Sequence, residues 1–359
     1  MKPEDRAGLL RSKPLLTLAI PTFNRATYLA ELLEALLPQL AGLAPQTIEL
    51  LISDNCSEDE TAAMVAAFQR RGLPCRYVRN PRNIGSDANF LQCLNLATGQ
   101  YVWVMGDDDL LVPHAIADLL SLLSQEEFDL IYLSSFGFSG QYDPHHPSHN
   151  SHDKLGRYAE VVTDGDYFLE KVNALIGLIS VNIVNKDRLL ATPHPPIESL
   201  NDSNLMQTGW LFPLIHRRCR ILYVWERLLA YRSNNSTGWG AAEVFGIRLQ
   251  SIAKQYFAAE PILAQSLMNG VLRYWLFEKI FAMRRGEENE AMNSEDFARI
   301  LGPIFRNNWR YWVFVYPVAE LPLPLAKFVH GLLAGLNKLT RIVQAVWRHL
   351  LRRSRLLRP

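Results

Sequence analysis

Over the first 135 residues, short apolar runs alternate with helical patterns, and this alternation constrains the fold more than any other feature. Leu15–Ile20 reads as a buried strand, and Leu29, Leu32, Leu33 and Leu36 then recur at helical spacing. Ile48–Ser53, Arg76–Val78, Tyr101–Met105 and Phe128–Ser134 predict four further strands. Ser57–Glu60 has the form of a capping box, in which Ser and Glu side chains satisfy free helix amides reciprocally. A helix is expected over 86–98 with Gly99 just past its end, and Pro113 suits the first turn of another. Strand–helix units of this kind bury apolar strands between two helical layers. The expected fold is therefore α/β, a mostly parallel sheet with helices on both faces, followed by a helical C-terminal extension. Residues 139–157 read as a long polar loop, helix and strand signals resume over 164–232, and beyond about 241 the chain reads as helix. The expected organisation is an extension (1–13), an α/β domain (14–240), a helical region (241–335) and a terminal helix (336–359). No internal repeat is visible. Hydrophobic residues make up 48%, enough for a sizeable core.

In an open parallel sheet, ligands bind beyond the carboxyl ends of the strands. Asp54 directly follows the second strand, and Asp107, Asp108 and Asp109 follow the fourth after Gly106. Three consecutive carboxylates repel one another, and a divalent cation offsets that cost. Hard oxygen ligands suit Mn²⁺ or Mg²⁺, bound through one or two carboxylates plus substrate phosphates. A solvated turn is the competing reading, strongest for Asp54 alone. Neither GxGxxG nor GxxxxGK[ST] occurs, which leaves an acid-plus-metal site as the means of gripping a diphosphate.

Four blocks carry a resemblance. They are Ala19-Ile-Pro-Thr-Phe-Asn-Arg25, Ile52-Ser-Asp-Asn-Cys-Ser-Glu-Asp-Glu-Thr61, Asn80-Pro-Arg-Asn-Ile-Gly-Ser-Asp-Ala-Asn-Phe90 and Gly106-Asp-Asp-Asp-Leu110. In this order they resemble family 2 glycosyltransferases of the GT-A fold, over about residues 14–240. The similarity is greatest to the branch with abequosyltransferase-like O-antigen enzymes. The resemblance implies that Pro21, Thr22 and Asn24 line a nucleotide pocket and that Asp54 hydrogen-bonds the base. It implies that Asn83 and Gly85 approach the nucleotide, that Asp107 touches ribose with Asp108 beside it, and that Asp109 holds the metal on the diphosphate.

Inverting members of that family need a carboxylate base near the acceptor hydroxyl. The family's usual adjacent acidic pair is absent, and Ile197–Trp210 offers Asp202 and Glu198 instead. Asp202 is the preferred candidate, with a helix cap as the competing reading. Asp164 and Asp166 read as caps. Tyr231–Trp239 resembles a loop that closes over the donor, where Arg232 would pair with phosphate oxygens and Trp239 would stack on the sugar. His145, His146, His149 and His152 have metal-site composition but lie in a Pro-rich polar stretch that reads as a solvated loop.

The four cysteines form no CxxC pair, so reduced thiols are expected. MKPEDRAGLLRSKP lacks the apolar run of a signal peptide, and no uninterrupted apolar stretch is long enough to span a bilayer. After Glu320 there is no Asp or Glu, whereas Lys327, Lys338, Arg341, Arg348, Arg352, Arg353, Arg355 and Arg358 fall there. Leu336, Leu339, Ile342, Val343, Val346, Trp347, Leu350 and Leu351 recur at three- and four-residue spacing. A basic amphipathic helix of this kind predicts an anionic membrane surface as partner, not nucleic acid, with a helix docked on the protein's own core as the competing reading. Trp309, Tyr311, Trp312, Phe314 and Tyr316 suit an interface or a core equally. The expected function is inverting transfer of a sugar from a nucleoside diphosphate sugar to a lipid-linked or growing surface glycan, at the inner face of the plasma membrane. The alternatives are a sugar nucleotidyltransferase and a non-catalytic membrane-associated protein of the same fold.

Overall fold

The computed structural model describes residues 13–44, 46–143, 158–233, 240–286 and 296–356. Strands β1 (Leu16–Thr22), β2 (Ile48–Asp54) and β4 (Tyr101–Val104) are buried along nearly their whole length, as in sheets covered on both faces. β1 pairs in parallel with both β2 and β4, and β3 (Cys75–Arg79) adds to β2 in the same sense. The helices between them are α1 (Ala26–Leu40), α2 (Thr61–Arg70), α3 (Ser86–Leu96) and α4 (Ala115–Gln125). α3 packs on β1, β2 and β4, whereas α1 packs with α2 and α4.

The second half of the sheet contains β5 (Leu110–Leu111), β6 (Leu130–Phe138), β7 (Ala159–Val162), β8 (Asn182–Asn185) and β9 (Ile221–Arg232). The order is β3-β2-β1-β4-β8-β6-β9-β5, with β7 also on β9. β8 runs antiparallel to β4 and β6, and β5 and β7 run antiparallel to β9, while β6 and β9 are parallel. Strands β1, β2, β3, β4, β6 and β9 thus share one direction, the mostly parallel arrangement expected. β6 extends four residues past the predicted Ser134, because β9 pairs with it as far as Phe138 and Arg232.

Three local expectations are corrected. Ser57 caps no helix: α2 begins at Thr61, and the Ser57 Oγ accepts from the Asn24 amide at 2.9 Å. Gly99 does not close α3 in a left-handed turn. A Cβ there would lie 2.6 Å from the Thr17 backbone nitrogen, so glycine permits two backbones to meet. Pro113 precedes α4, whose cap is His114. Asp164 does cap α5 (Gly165–Val172), accepting from the Tyr167 amide at 3.1 Å.

Beyond α6 (Lys186–Ala191), α7 (Thr208–Leu211) and β9, the chain is helical: α8 (Leu249–Tyr256), α9 (Pro261–Gly270), α10 (Phe277–Arg284), α11 (Phe297–Phe305), α12 (Tyr316–Glu320) and α13 (Leu323–Leu356). α9 packs against α5, and one hydrophobic cluster runs from Leu16 in the sheet to Val318 in α12. The predicted boundary at 336 falls inside α13, whose 34 residues span about 51 Å at 1.5 Å per residue. Its inner face holds buried Ala326, buried Asn337 (bonded by Arg273 at 2.8 Å) and His330, stacked on Phe277 and Phe281. On another face Leu325, Phe328, Leu332, Leu336, Leu339 and Val343 are each at least 50% exposed, at three- and four-residue spacing. The apolar stripe therefore starts eleven residues before the predicted Leu336. Tyr311 and Phe314 are core, while Trp309, Trp312 and Tyr316 are exposed. Among the described residues no helix is long and apolar enough to cross a membrane. The four cysteines are free thiols.

Candidate active site

The parallel strands end in register. Thr22 of β1 faces Asp54 of β2, which faces Arg79 of β3. β4 lies against β1, so the chain leaving β4 brings its acids to Thr22: the Thr22 hydroxyl donates to Asp107 Oδ2 at 2.7 Å. Arg25 then spans two carboxylates, with Nη1 on Asp107 Oδ1 at 2.8 Å and Nη2 on Asp108 Oδ2 at 3.2 Å. Asp109 Oδ1 accepts from the Arg232 amide at 3.0 Å. The loop is stapled to the chain before β8, since Gly106 N donates to Ser180 Oγ at 2.9 Å and Trp103 Nε1 to the Ser180 carbonyl at 2.7 Å.

Two carboxyls of this run are shifted by their surroundings. Burial raises the Asp107 carboxyl to about 6 against the pull of Arg25 and Thr22. Burial, with the Asp108 charge added, raises Asp109 to about 7. Buried carboxylates pushed up in this way are what a divalent cation relieves, so the donor set fits Mn²⁺ or Mg²⁺. Among the described residues no three His, Cys, Asp or Glu side chains form a ready cage. The acids would supply one or two ligands and leave the remainder to diphosphate and water.

The flanking loops are pinned to one another. Asn24 has φ 52°, a left-handed conformation that Asn tolerates, and its Oδ1 accepts from the Glu58 amide at 2.7 Å. Pro21 lies within β1. Asn83 Oδ1 accepts from the Gly85 amide at 2.9 Å and from Asn55 at 2.8 Å; Gly85, at φ 88°, precedes α3. Asp54 is wholly buried: Ser57 N donates to its Oδ1 at 2.8 Å and the Tyr77 hydroxyl to its Oδ2. Arg79 Nε lies 3.6 Å from the same Oδ2, so both oxygens of Asp54 already meet protein groups.

Arg232 departs from expectation. Its guanidinium is 10% exposed and donates to Glu31, to the Gly140 carbonyl at 2.9 Å and to the Asp108 carbonyl at 3.3 Å, between the rings of Tyr28 and Phe138. It fastens β9 to α1 and the acid loop. Trp239 and His145, His146, His149 and His152 lie outside the described residues.

The two base candidates part company. Asp202 is exposed at φ 63° and caps no helix. Its neighbour in the fold is Asp87 in the first turn of α3, next to the Asn83–Gly85 loop. Asp87 takes the Asn204 amide at 3.0 Å, and burial raises its carboxyl, with the Asp202 charge contributing. Glu198 is exposed, and its charge adds to the burial that pushes the Tyr256 hydroxyl of α8 up to about 12. Sequence reasoning assigned no role to Arg25, Tyr77, Asp87 or Ser180. Three of them lie in or beside the quoted blocks, but spacing does not reveal their partners.

Residues 17–177 match the family model described as Glycosyl transferase family 2. The abequosyltransferase RfbV of Salmonella typhimurium is 26% identical over 310 residues, 80% of this chain and 90% of that protein. The GalNAc(5)-diNAcBac-PP-undecaprenol beta-1,3-glucosyltransferase of Campylobacter jejuni is 30% identical over 108 residues, only 34% of its own length. The solved structure of Staphylococcus aureus TarS residues 1–349 in complex with UDP shares the fold, with TM-score 0.58 and 18% identity over 88% of this chain and 87% of that one.

Proposed function

We propose that this chain, a glycosyltransferase whose residues 17–177 belong to family 2, transfers a sugar with inversion from a nucleoside diphosphate sugar to a lipid-linked or growing surface glycan. The observation that carries the reading is the acid run at the carboxyl edge of the parallel sheet, with Asp107 buried beside Thr22 and Arg25, Asp109 half-buried, and both carboxyls raised. Asp109, with Asp108 beside it, would hold Mn²⁺ or Mg²⁺, and the ion would offset charge gathering on the leaving diphosphate. Thr22, Asn24, Asn83 and Gly85 border the nucleotide, with Asp54 behind Tyr77 as the group for the base edge. Asp202 accepts the acceptor hydroxyl's proton as that oxygen bonds the anomeric carbon and the bond to diphosphate breaks. The Campylobacter relative, whose name gives a lipid-linked glycan acceptor, supports such an acceptor here, and a TarS structure in complex with UDP-GlcNAc supports a nucleotide-sugar donor. The direct test is donor turnover with added Mn²⁺.

The C-terminal helix supports a place on an anionic membrane. The exposed stripe from Leu325 to Val343 is accompanied by exposed Lys327 and Lys338, in a stretch without acids after Glu320. Each basic residue near an anionic surface contributes about 1 kcal/mol, and burying the stripe adds a part that salt does not screen. Phe328→Glu with Leu332→Glu is expected to lower binding to anionic vesicles by about tenfold or more at low salt. High salt is expected to weaken wild-type binding without abolishing it. Sedimentation with vesicles measures both, and equal binding of variant and wild type would refute the assignment.

A further inference from the structure

Arg25 is the least expected member of the site. It precedes α1, in a loop held on both sides: the Asn24 amide bonds Ser57 at 2.9 Å and the Ala26 amide bonds Asp59 at 2.9 Å. The Tyr28 ring backs the guanidinium, 5.2 Å from centroid to carbon. With Arg25 on Oδ1 and Thr22 on Oδ2, both oxygens of Asp107 already accept protein bonds. The Arg25 side chain is 32% exposed against 3% for Asp107, so it is the member of that pair open to solvent. A dication approaching Asp107 and Asp108 meets a positive charge already within hydrogen-bond distance of both. Asp109 makes no bond to Arg25 and takes the Arg232 amide instead.

We propose that Arg25 is a positioning residue, the resident counter-cation of the acidic run. It holds Asp107 and Asp108, suppresses binding of a divalent ion before the donor arrives, and leaves Asp109 as the carboxylate that meets the ion. The inference rests on the metal-assisted reading above. A diphosphate supplies the missing driving force: it brings negative charge for the ion and phosphate oxygens that match the guanidinium fork.

The test is Mn²⁺ titration, followed by the electron paramagnetic resonance signal of the free ion. Wild type, Arg25→Gln and Arg25→Lys are compared with Mn²⁺ alone and with UDP, GDP, CDP or dTDP. With Mn²⁺ alone, Arg25→Gln is expected to bind about tenfold or more tightly than wild type, within the usual range of coupling between sites. Arg25→Lys, whose ammonium reaches one carboxylate, is expected to gain about threefold. The nucleotide that raises wild-type Mn²⁺ affinity should raise that of Arg25→Gln by a smaller factor. Should Arg25→Gln not fold, a gain below about twofold in Arg25→Lys overturns the inference. Equal affinity of all three proteins for Mn²⁺ alone, with nucleotide-dependent binding intact, overturns the inference and leaves the metal-assisted reading standing. No Mn²⁺ binding to any of them with any nucleotide overturns both.

Discussion

Asp109→Asn is expected to lower sugar transfer by about 10²–10³-fold, the usual cost of removing one preorganised group that stabilises transition-state charge. The fold should survive, because in the ion-free protein this carboxylate is an electrostatic burden. Burial and the Asp108 charge raise it to about 7, so above its unfolded value the folded protein holds the proton more tightly than the unfolded chain. The sign follows. Stability from this group is greatest at low pH, falls as pH rises from the ordinary carboxylate range towards 7, and is lowest above that. At pH 8 without metal, the Tm of Asp109→Asn should equal or exceed that of wild type. Between pH 8 and pH 5 the wild-type Tm should gain more than the variant's. Initial rates against Mn²⁺ and thermal melts at the two pH values measure this. Turnover within a few-fold of wild type at low Mn²⁺ would exclude Asp109 as the ligand.

Asp202→Asn is expected to lower transfer by about 10²–10⁴-fold, the usual contribution of a general base, with donor affinity unchanged. The proposal of Asp202 rather than Glu198 rests on their surroundings. Asp87, beside the Asn83–Gly85 loop, takes the Asn204 amide and so ties the 202–204 turn to α3, whereas Glu198 is exposed and adds its charge to the surroundings of Tyr256. Separate measurement of kcat and donor affinity for Asp202→Asn and Glu198→Gln decides the matter. If only Glu198→Gln shows the loss, the base is Glu198; if neither does, it lies outside this segment.

What could be read from the sequence follows from which signals are local. β1, β2 and β4 were legible because strands buried on both faces are continuous apolar runs. The acid run was legible because three carboxylates after a buried strand need a partner. Ser57 was misread because helix caps and loop pins use the same hydroxyl chemistry, and the pin leads to Asn24, far away in sequence. The partners of Arg232 were hidden for a similar reason: a basic residue ending a strand looks the same whether it awaits a phosphate or already holds Glu31. The start of α13 was hidden by Pro322 and Pro324, which suggest a break, although proline is tolerated in a first helical turn. Asp87 lies within a quoted block, but its role was hidden because its partners lie more than a hundred residues away.

The central claim is that the acid run at the sheet edge serves sugar transfer from a nucleoside diphosphate sugar. It is tested most directly by incubating the protein and Mn²⁺ with a panel of nucleoside diphosphate sugars and identifying the released product. The account predicts that at least one donor yields a nucleoside diphosphate, and that chelation of the ion or Asp109→Asn suppresses the release. Pyrophosphate formation in the presence of a nucleoside triphosphate and a sugar phosphate, with no donor cleaved, would contradict it.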